Sequence, residues 1–189
     1  MGLVVLIVFA LVAAIAVSYL IGVYNQLVQV KVNVDKSWAN IDVLEKQRYD
    51  EIPKLVQVCE GYMQYERDTL QKVIEARTKY LGAQGPAEKG AASSQMAGAL
   101  KSLFALAESY PELKANQNFA QLQGRITELE NEIADRREFY NDSVTINNAR
   151  IQQIPYVFFV SMLSMKEREM YKVAASEKNP PEIKFAYPR

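Results

Sequence analysis

From Leu3 to Tyr24 the chain reads LVVLIVFALVAAIAVSYLIGVY, and the first charge after this stretch is Lys31. As a helix it spans about 33 Å, enough for a hydrocarbon core of roughly 30 Å. The pattern then turns amphipathic: Leu27, Val30, Val34, Trp38, Ile41 and Leu44 recur at helical spacing among Asn, Gln, Lys and Asp. Trp38 falls about 21 Å past Tyr24 along a continuous helix. That is too far for the interfacial aromatic belt, so Tyr24 is read as the belt residue and Trp38 as a core anchor. Pro53 removes a helical hydrogen bond and predicts a kink or a break. The apolar stripe resumes through Leu55, Val56, Cys59, Tyr62, Met63, Leu70, Val73 and Ile74 and stops at Gly82.

Residues 82–95, GAQGPAEKGAASSQ, read as a flexible loop. Lys89-Gly90 within it is no phosphate-binding loop, which needs Gly-Lys followed by Ser or Thr. A short helix is expected from Met96 to Glu108, ending near Tyr110-Pro111. Asn116 then offers an N-cap. Phe119, Leu122, Ile126, Leu129, Ile133, Arg136 and Tyr140 step by three and four, a heptad seam. Its phase slips before Val144, Ile151 and Ile154, and Pro155 closes the helix. No stretch alternates as a strand would. The fold class is therefore all-α: an N-terminal transmembrane helix, then an antiparallel bundle of long helices kinked at Pro53.

The expected domains are an anchor over 1–24, a helical bundle over 25–175 and an extended tail over 176–189. If the two long arms pack antiparallel with Leu81 facing Asn116, Ile154 comes opposite Val43 and Tyr171 comes near Val28. The apolar run YVFFVSMLSM, residues 156–165, would then return towards the membrane. It is too short to span. It either caps the bundle or rests in the lipid interface, where Lys166, Arg168 and Lys172 would favour anionic headgroups.

A cleaved signal peptide would need a basic N-terminal region, which is missing, so an uncleaved anchor is expected. No Ser/Thr follows the N-terminal Gly at myristoylation spacing. No Lys or Arg precedes the span, whereas Lys31, Lys36, Lys46 and Arg48 follow it. The positive-inside rule places the N-terminus outside and the bundle in the cytoplasm, with a periplasmic or extracellular bundle as the alternative.

Composition narrows the chemistry. The 189 residues carry 22 basic and 22 acidic side chains, so no basic face for nucleic acid is expected. Histidine is absent, which removes the commonest general base and metal ligand. Cys59 is the sole cysteine and reads as a small buried hydrophobe. No cofactor, metal or small-molecule substrate is implied.

The polar residues in the helices ask for a role. Asp42, Arg48 and Asp50 gather around Pro53, with Arg136, Arg137 and Asn141 on the opposing helix. Asp42 and Asp50 share a face but lie about 12 Å apart along the axis, too far for an acid–base pair on one glycosidic bond. Interhelical pairing that fixes register is the expected role, with side chains also serving the backbone group freed at the proline.

Three ordered blocks carry a resemblance. The first holds Asn33 and Val34, Trp38, Ile41-Asp42-Val43, Arg48, Asp50, Ile52-Pro53, Leu55-Val56 and Gly61-Tyr62. The second is Tyr110-Pro111 with Leu113-Lys114-Ala115 and Phe119, and the third Arg137, Tyr140-Asn141, Val144, Asn148, Ile151 and Pro155. Over nearly its whole length the chain resembles the LemA family of bacterial and archaeal membrane proteins. It departs from the family pattern at Cys59 (usually aliphatic), Glu60 (Lys), Asn147 (Tyr) and Ser164-Met165 (Gly-Phe). The resemblance implies one N-terminal span, a cytoplasmic bundle of long antiparallel helices and no established enzymatic activity. Some relatives belong to the set that builds intracellular magnetite compartments, and others are encoded near a membrane metalloprotease.

The expected function is a non-enzymatic, membrane-anchored scaffold or adaptor in membrane or envelope organisation. An accessory regulator of a membrane protease is the alternative. The expected partners are the lipid bilayer and a membrane protein or a second copy of the chain. Trp38, Asp42, Arg48, Asp50, Pro53, Arg137, Tyr140 and Asn141 are the structural or interaction candidates.

Overall fold

A computed structural model of the chain describes residues 1–172; the tail expectation over 176–189 lies outside them. The described residues are mostly helical, with no strand among them. The helices are α1 (Gly2–Glu60), α2 (Arg67–Gly82), α3 (Gly85–Ala107), α4 (Pro111–Lys114), α5 (Gln117–Arg150) and α6 (Val157–Val160).

Two compact units emerge. The first holds Met1–Asp42 and Asp135–Glu169, and the second Val43–Ala134 with residues 170–172.

In the first unit, the apolar side chains from Leu3 to Ile21 stand exposed around α1, among them Leu3 (74 %), Phe9 (75 %) and Ile15 (69 %). Burial begins at Val23 and continues at Leu27 and Val34. The chain after α5 folds back on this stretch. Leu27 packs with Ile151 and Met165, and Tyr156, Phe159 and Leu163 close around them.

The second unit has its own core. Ile52, Leu55, Cys59 and Met63 pack with Leu70, Val73, Met96, Leu100, Leu103, Leu113, Phe119 and Ile126. Of the kink or break expected at Pro53, the break does not occur: α1 runs on to Glu60. Ile52, Leu55 and Val56 are buried around the exposed proline, so packing of that face holds the helix together. The helix ends instead before Gly61, a poor helix former, where the N–H groups of Tyr62 and Met63 both donate to the Cys59 carbonyl.

The run read as a flexible loop is the first half of α3. Gly85 adopts a left-handed φ of 72°, which glycine tolerates, and Pro86 opens the helix behind it. The Gln84 N–H donates to Glu88 Oε2 at 2.9 Å, capping the first turn. Gly90, Ala92, Ser93 and Ser94 are all buried. Their small size serves close packing, not flexibility.

Asn116 is the N-cap of α5: its Oδ1 accepts from the Phe119 N–H at 3.1 Å. The buried stripe of this helix is Phe119, Ile126, Leu129, Ile133, Arg137, Tyr140, Val144, Asn147 and Ile151. Arg137 therefore takes the seam position expected for Arg136, which is exposed. With one step of four moved forward, the stripe keeps close to the 3.6-residue helical period. The expected register is corrected too. Asn116 Nδ2 donates to Tyr62 Oη at 3.1 Å instead of facing Leu81, because α1 has already ended and α2 with α3 forms a separate hairpin.

Candidate functional site

The second unit encloses a charged cluster. Glu45 and Arg48 lie one turn apart on α1, both fully buried, and the Arg48 guanidinium pairs with Glu45 through Nη2 and with Glu130 of α5 through Nη1. Spacing of three puts them on one helix face. Arg48 Nη2 also donates to Ser93 Oγ of α3 at 2.7 Å. Glu45 Oε1 accepts from Ser93 Oγ at 2.6 Å and from Tyr171 Oη at 2.8 Å. Its other oxygen accepts from Tyr49 Oη at 3.3 Å. Four segments thus meet on one carboxylate and one guanidinium.

Electrostatics keeps these groups in fixed states. Burial disfavours the Arg48 charge, but Glu45 and then Glu130 outweigh it and hold the guanidinium above its ordinary range. Burial raises the Tyr49 phenol well above its usual value, against the lowering effect of Arg48. The phenol is held as a donor. Nearby Cys59 is fully buried, and its thiol is pushed up to about 11 by desolvation, the opposite of an activated nucleophile. No cluster of three or more His, Cys, Asp or Glu fit to hold a metal occurs among the described residues.

Pro53 lies one turn further along. Lacking an N–H, it leaves the Tyr49 carbonyl, four residues back, without its helical donor. Arg77 Nε of α2 donates to that carbonyl at 3.3 Å. The backbone group freed at the proline is therefore served by a residue outside the expected set.

Asp50 is exposed and takes no part in the cluster, so of the two residues expected to pair across the helices it is Arg48 that does so, with Glu130. A separation of two residues turns Asp50 about 200° around the helix from Arg48. Tyr171 does not reach Val28; its hydroxyl sits on Glu45.

The first unit organises the other candidates. Trp38 stacks obliquely on Tyr140, ring centroids 5.4 Å apart. Tyr140 is buried, and its hydroxyl donates to the Glu169 carbonyl at 2.9 Å. Burial first, then Asp35 and Glu169 against Arg168, raises its phenol pKa. Asn148 makes a reciprocal pair with the backbone of Arg168, both bonds at 2.9 Å, and Asn147 Nδ2 donates to the Lys166 carbonyl at 3.1 Å. Residues 166–169, which form no regular element, thus have backbone groups satisfied by side chains of α5. Asp42 is exposed, Asn141 half-buried and Arg137 buried on the α5 seam.

The family model described as the LemA family matches residues 37–185. The chain belongs to the LemA family. Protein LemA of Metamycoplasma hominis is 28 % identical over 158 residues, covering 82 % of this chain and 68 % of that protein. Against the LemA pattern, three departures fall inside the units: Cys59 (0 % exposed), Asn147 (2 %) and Met165 (7 %). All three side chains are thus internal, not surface, positions. The LemA block around Trp38–Tyr62 was legible from sequence, whereas Glu45, Ser93, Glu130, Tyr171 and Arg77 were missed. Glu45–Arg48 spacing was the one available signal; the other partners come from distant segments.

Proposed function

We propose that this LemA-family chain is a membrane-anchored, non-enzymatic helical scaffold or adaptor that organises the membrane or envelope. The observation that carries this reading is α1. Its first twenty residues are uncharged and mostly apolar, and none of its most apolar window is buried, while the same helix continues into two packed units. A sleeve of exposed Leu, Val, Ile and Phe of that length fits lipid, since soluble proteins do not leave such patches in water. Lys31 and Lys36 after the span favour a cytoplasmic location for the remainder. The charge cluster supports a rigid architecture in place of chemistry: its phenol is held protonated and its ions are paired internally.

The test is in-cell crosslinking from Lys46 and Lys54, both exposed, followed by partner identification in the carbonate-washed membrane fraction. The expected result is a discrete membrane-protein or self-crosslinked product. Release of the protein by carbonate, or the absence of any discrete product, overturns the reading. A reporter fused after Arg189 that is active only outside the cytoplasm would reverse the orientation.

A further inference from the structure

The segment that returns after α5 packs beside the end of the apolar sleeve and is itself left uncovered. It leaves α5 at Arg150, makes the turn of α6, and closes where the Met165 N–H donates to the Val160 carbonyl at 3.0 Å. One side is fixed to α1. Tyr24 meets Phe159 edge-on with centroids 6.5 Å apart, Tyr156 Oη donates to Gln26 Oε1 at 2.6 Å, and Lys31 Nζ donates to the Leu163 carbonyl at 3.0 Å. The other side presents Ile154 (78 % exposed), Phe158 (73 %) and Met162 (64 %).

Met162 joins this side to the span. A groove of about 360 Å³ runs between Phe159 and Met162 on the segment and Val17, Leu20, Ile21 and Tyr24 on α1. Val17 lies seven residues inside Tyr24, about 10 Å deeper along the helix axis. That depth matches the 5–10 Å to which interfacial apolar faces enter the headgroup–acyl boundary. The polar groups sit on the opposite rim. Lys31 is on α1 seven residues beyond Tyr24, and Arg150 lies 4.6 Å from the Tyr156 ring centroid while its Nη1 donates to the same hydroxyl at 2.6 Å.

We infer that residues 154–163 form a lipid-inserted wedge, seated in one leaflet beside the transmembrane helix, with Ile154, Phe158 and Met162 among the acyl chains. The inference rests on the anchor reading above and adds a second lipid contact. It makes the chain bitopic at its core and monotopic at its edge. The occupant is the bilayer, because Phe159 and Met162 of the segment share one groove with Val17, Leu20, Ile21 and Tyr24 of the span.

The test uses the full chain in phosphatidylcholine/phosphatidylglycerol vesicles, with an environment-sensitive fluorophore on Phe158→Cys or Met162→Cys. Buried Cys59 is left in place, and the unsubstituted chain serves as the labelling control. Leu11→Cys reports the span, and Tyr65→Cys, at a residue 97 % exposed, reports water. The expected result is several-fold stronger quenching of positions 158 and 162 by doxyl lipids than of position 65, with shielding from iodide. Their depth should be shallower than that of position 11. Iodide quenching at 158 and 162 with position 11 in lipid overturns the wedge alone. Iodide quenching at all three overturns the anchor and the wedge with it. Shielding from both quenchers at 158 means a protein surface covers the patch, which also overturns a lipid contact.

Discussion

Arg77 donates its Nε–H to the carbonyl of Tyr49, 3.3 Å away, and that carbonyl is the one Pro53 leaves unserved in α1. A residue 28 positions downstream thus repairs the ladder at the proline. Replacing Arg77 with Met should destabilise the second unit by about 1–3 kcal/mol, the cost of leaving a buried acceptor unsatisfied. In a Pro53→Ala background the helix supplies its own donor, and the cost should shrink. A double-mutant cycle read by denaturant unfolding in detergent should give a coupling of about 0.5 kcal/mol or more. Additive effects would mean that Arg77 does not serve this carbonyl.

Arg48→Met should be the most damaging single change in the cluster. It leaves Glu45 and Glu130 facing an uncharged side chain, and breaking a buried pair on one side costs about 3–5 kcal/mol. Asp50→Ala should stay within about 0.5 kcal/mol, because Asp50 faces solvent. Equal losses for the two variants, measured by thermal unfolding, would contradict the assignment of Glu45 and Glu130 as the partners of Arg48.

Gly90 lies under the segment that carries Tyr171. A Cβ there would collide with the Lys172 backbone and come within 3.0 Å of the Tyr171 ring. Gly90→Ala should therefore lift the segment and speed tryptic cleavage at Lys172. Tyr171→Phe removes only the hydroxyl donated to Glu45 and should cost about 1–3 kcal/mol while leaving the segment seated. Unchanged cleavage in the Gly90→Ala chain would show that the contact is not maintained in solution.

Cys59 gives a pH prediction. Its thiol is raised from 9.0 to about 11 by burial, so the folded state keeps a proton that the unfolded state gives up. Stability from this group is complete below pH 9 and falls as pH rises from 9 towards 11. Between pH 9 and 10 the slope should be shallower in Cys59→Ala. Tyr49 and Tyr140, also raised, add their own loss as pH rises through about 10. Thiol reagents should label Cys59 slowly at pH 8 and rapidly once urea unfolds the chain.

Periodicity carried much of the fold. The stripe from Phe119 to Ile151, the N-cap at Asn116 and the anchoring role of Trp38 are local patterns, and local patterns are visible in a single chain. The stripe was carried on to Gly82, whereas α1 ends at Glu60 and α2 starts afresh at Arg67; at Pro53 propensity allows a break, but burial of Ile52, Leu55 and Val56 and the hydrogen bond from Arg77 keep the helix continuous. GAQGPAEKGAASSQ misled for a related reason: small residues mark both loops and tight helix contacts, and only the packing of Gly90 and Ser93 separates the two. In the charge cluster, Glu45 and Arg48 were within reach of a spacing rule. Their remaining partners were not, since Ser93, Glu130 and Tyr171 are joined to them only by the fold.

Glu45 and Tyr171 stand 126 positions apart. At 5–20 residues per second, a ribosome needs about 6–25 s to travel between them. The apolar segment ahead of Glu45 is complete long before that. During biosynthesis the Glu45 carboxylate would therefore wait for its last donor until Tyr171 has been made, so the charged cluster closes late.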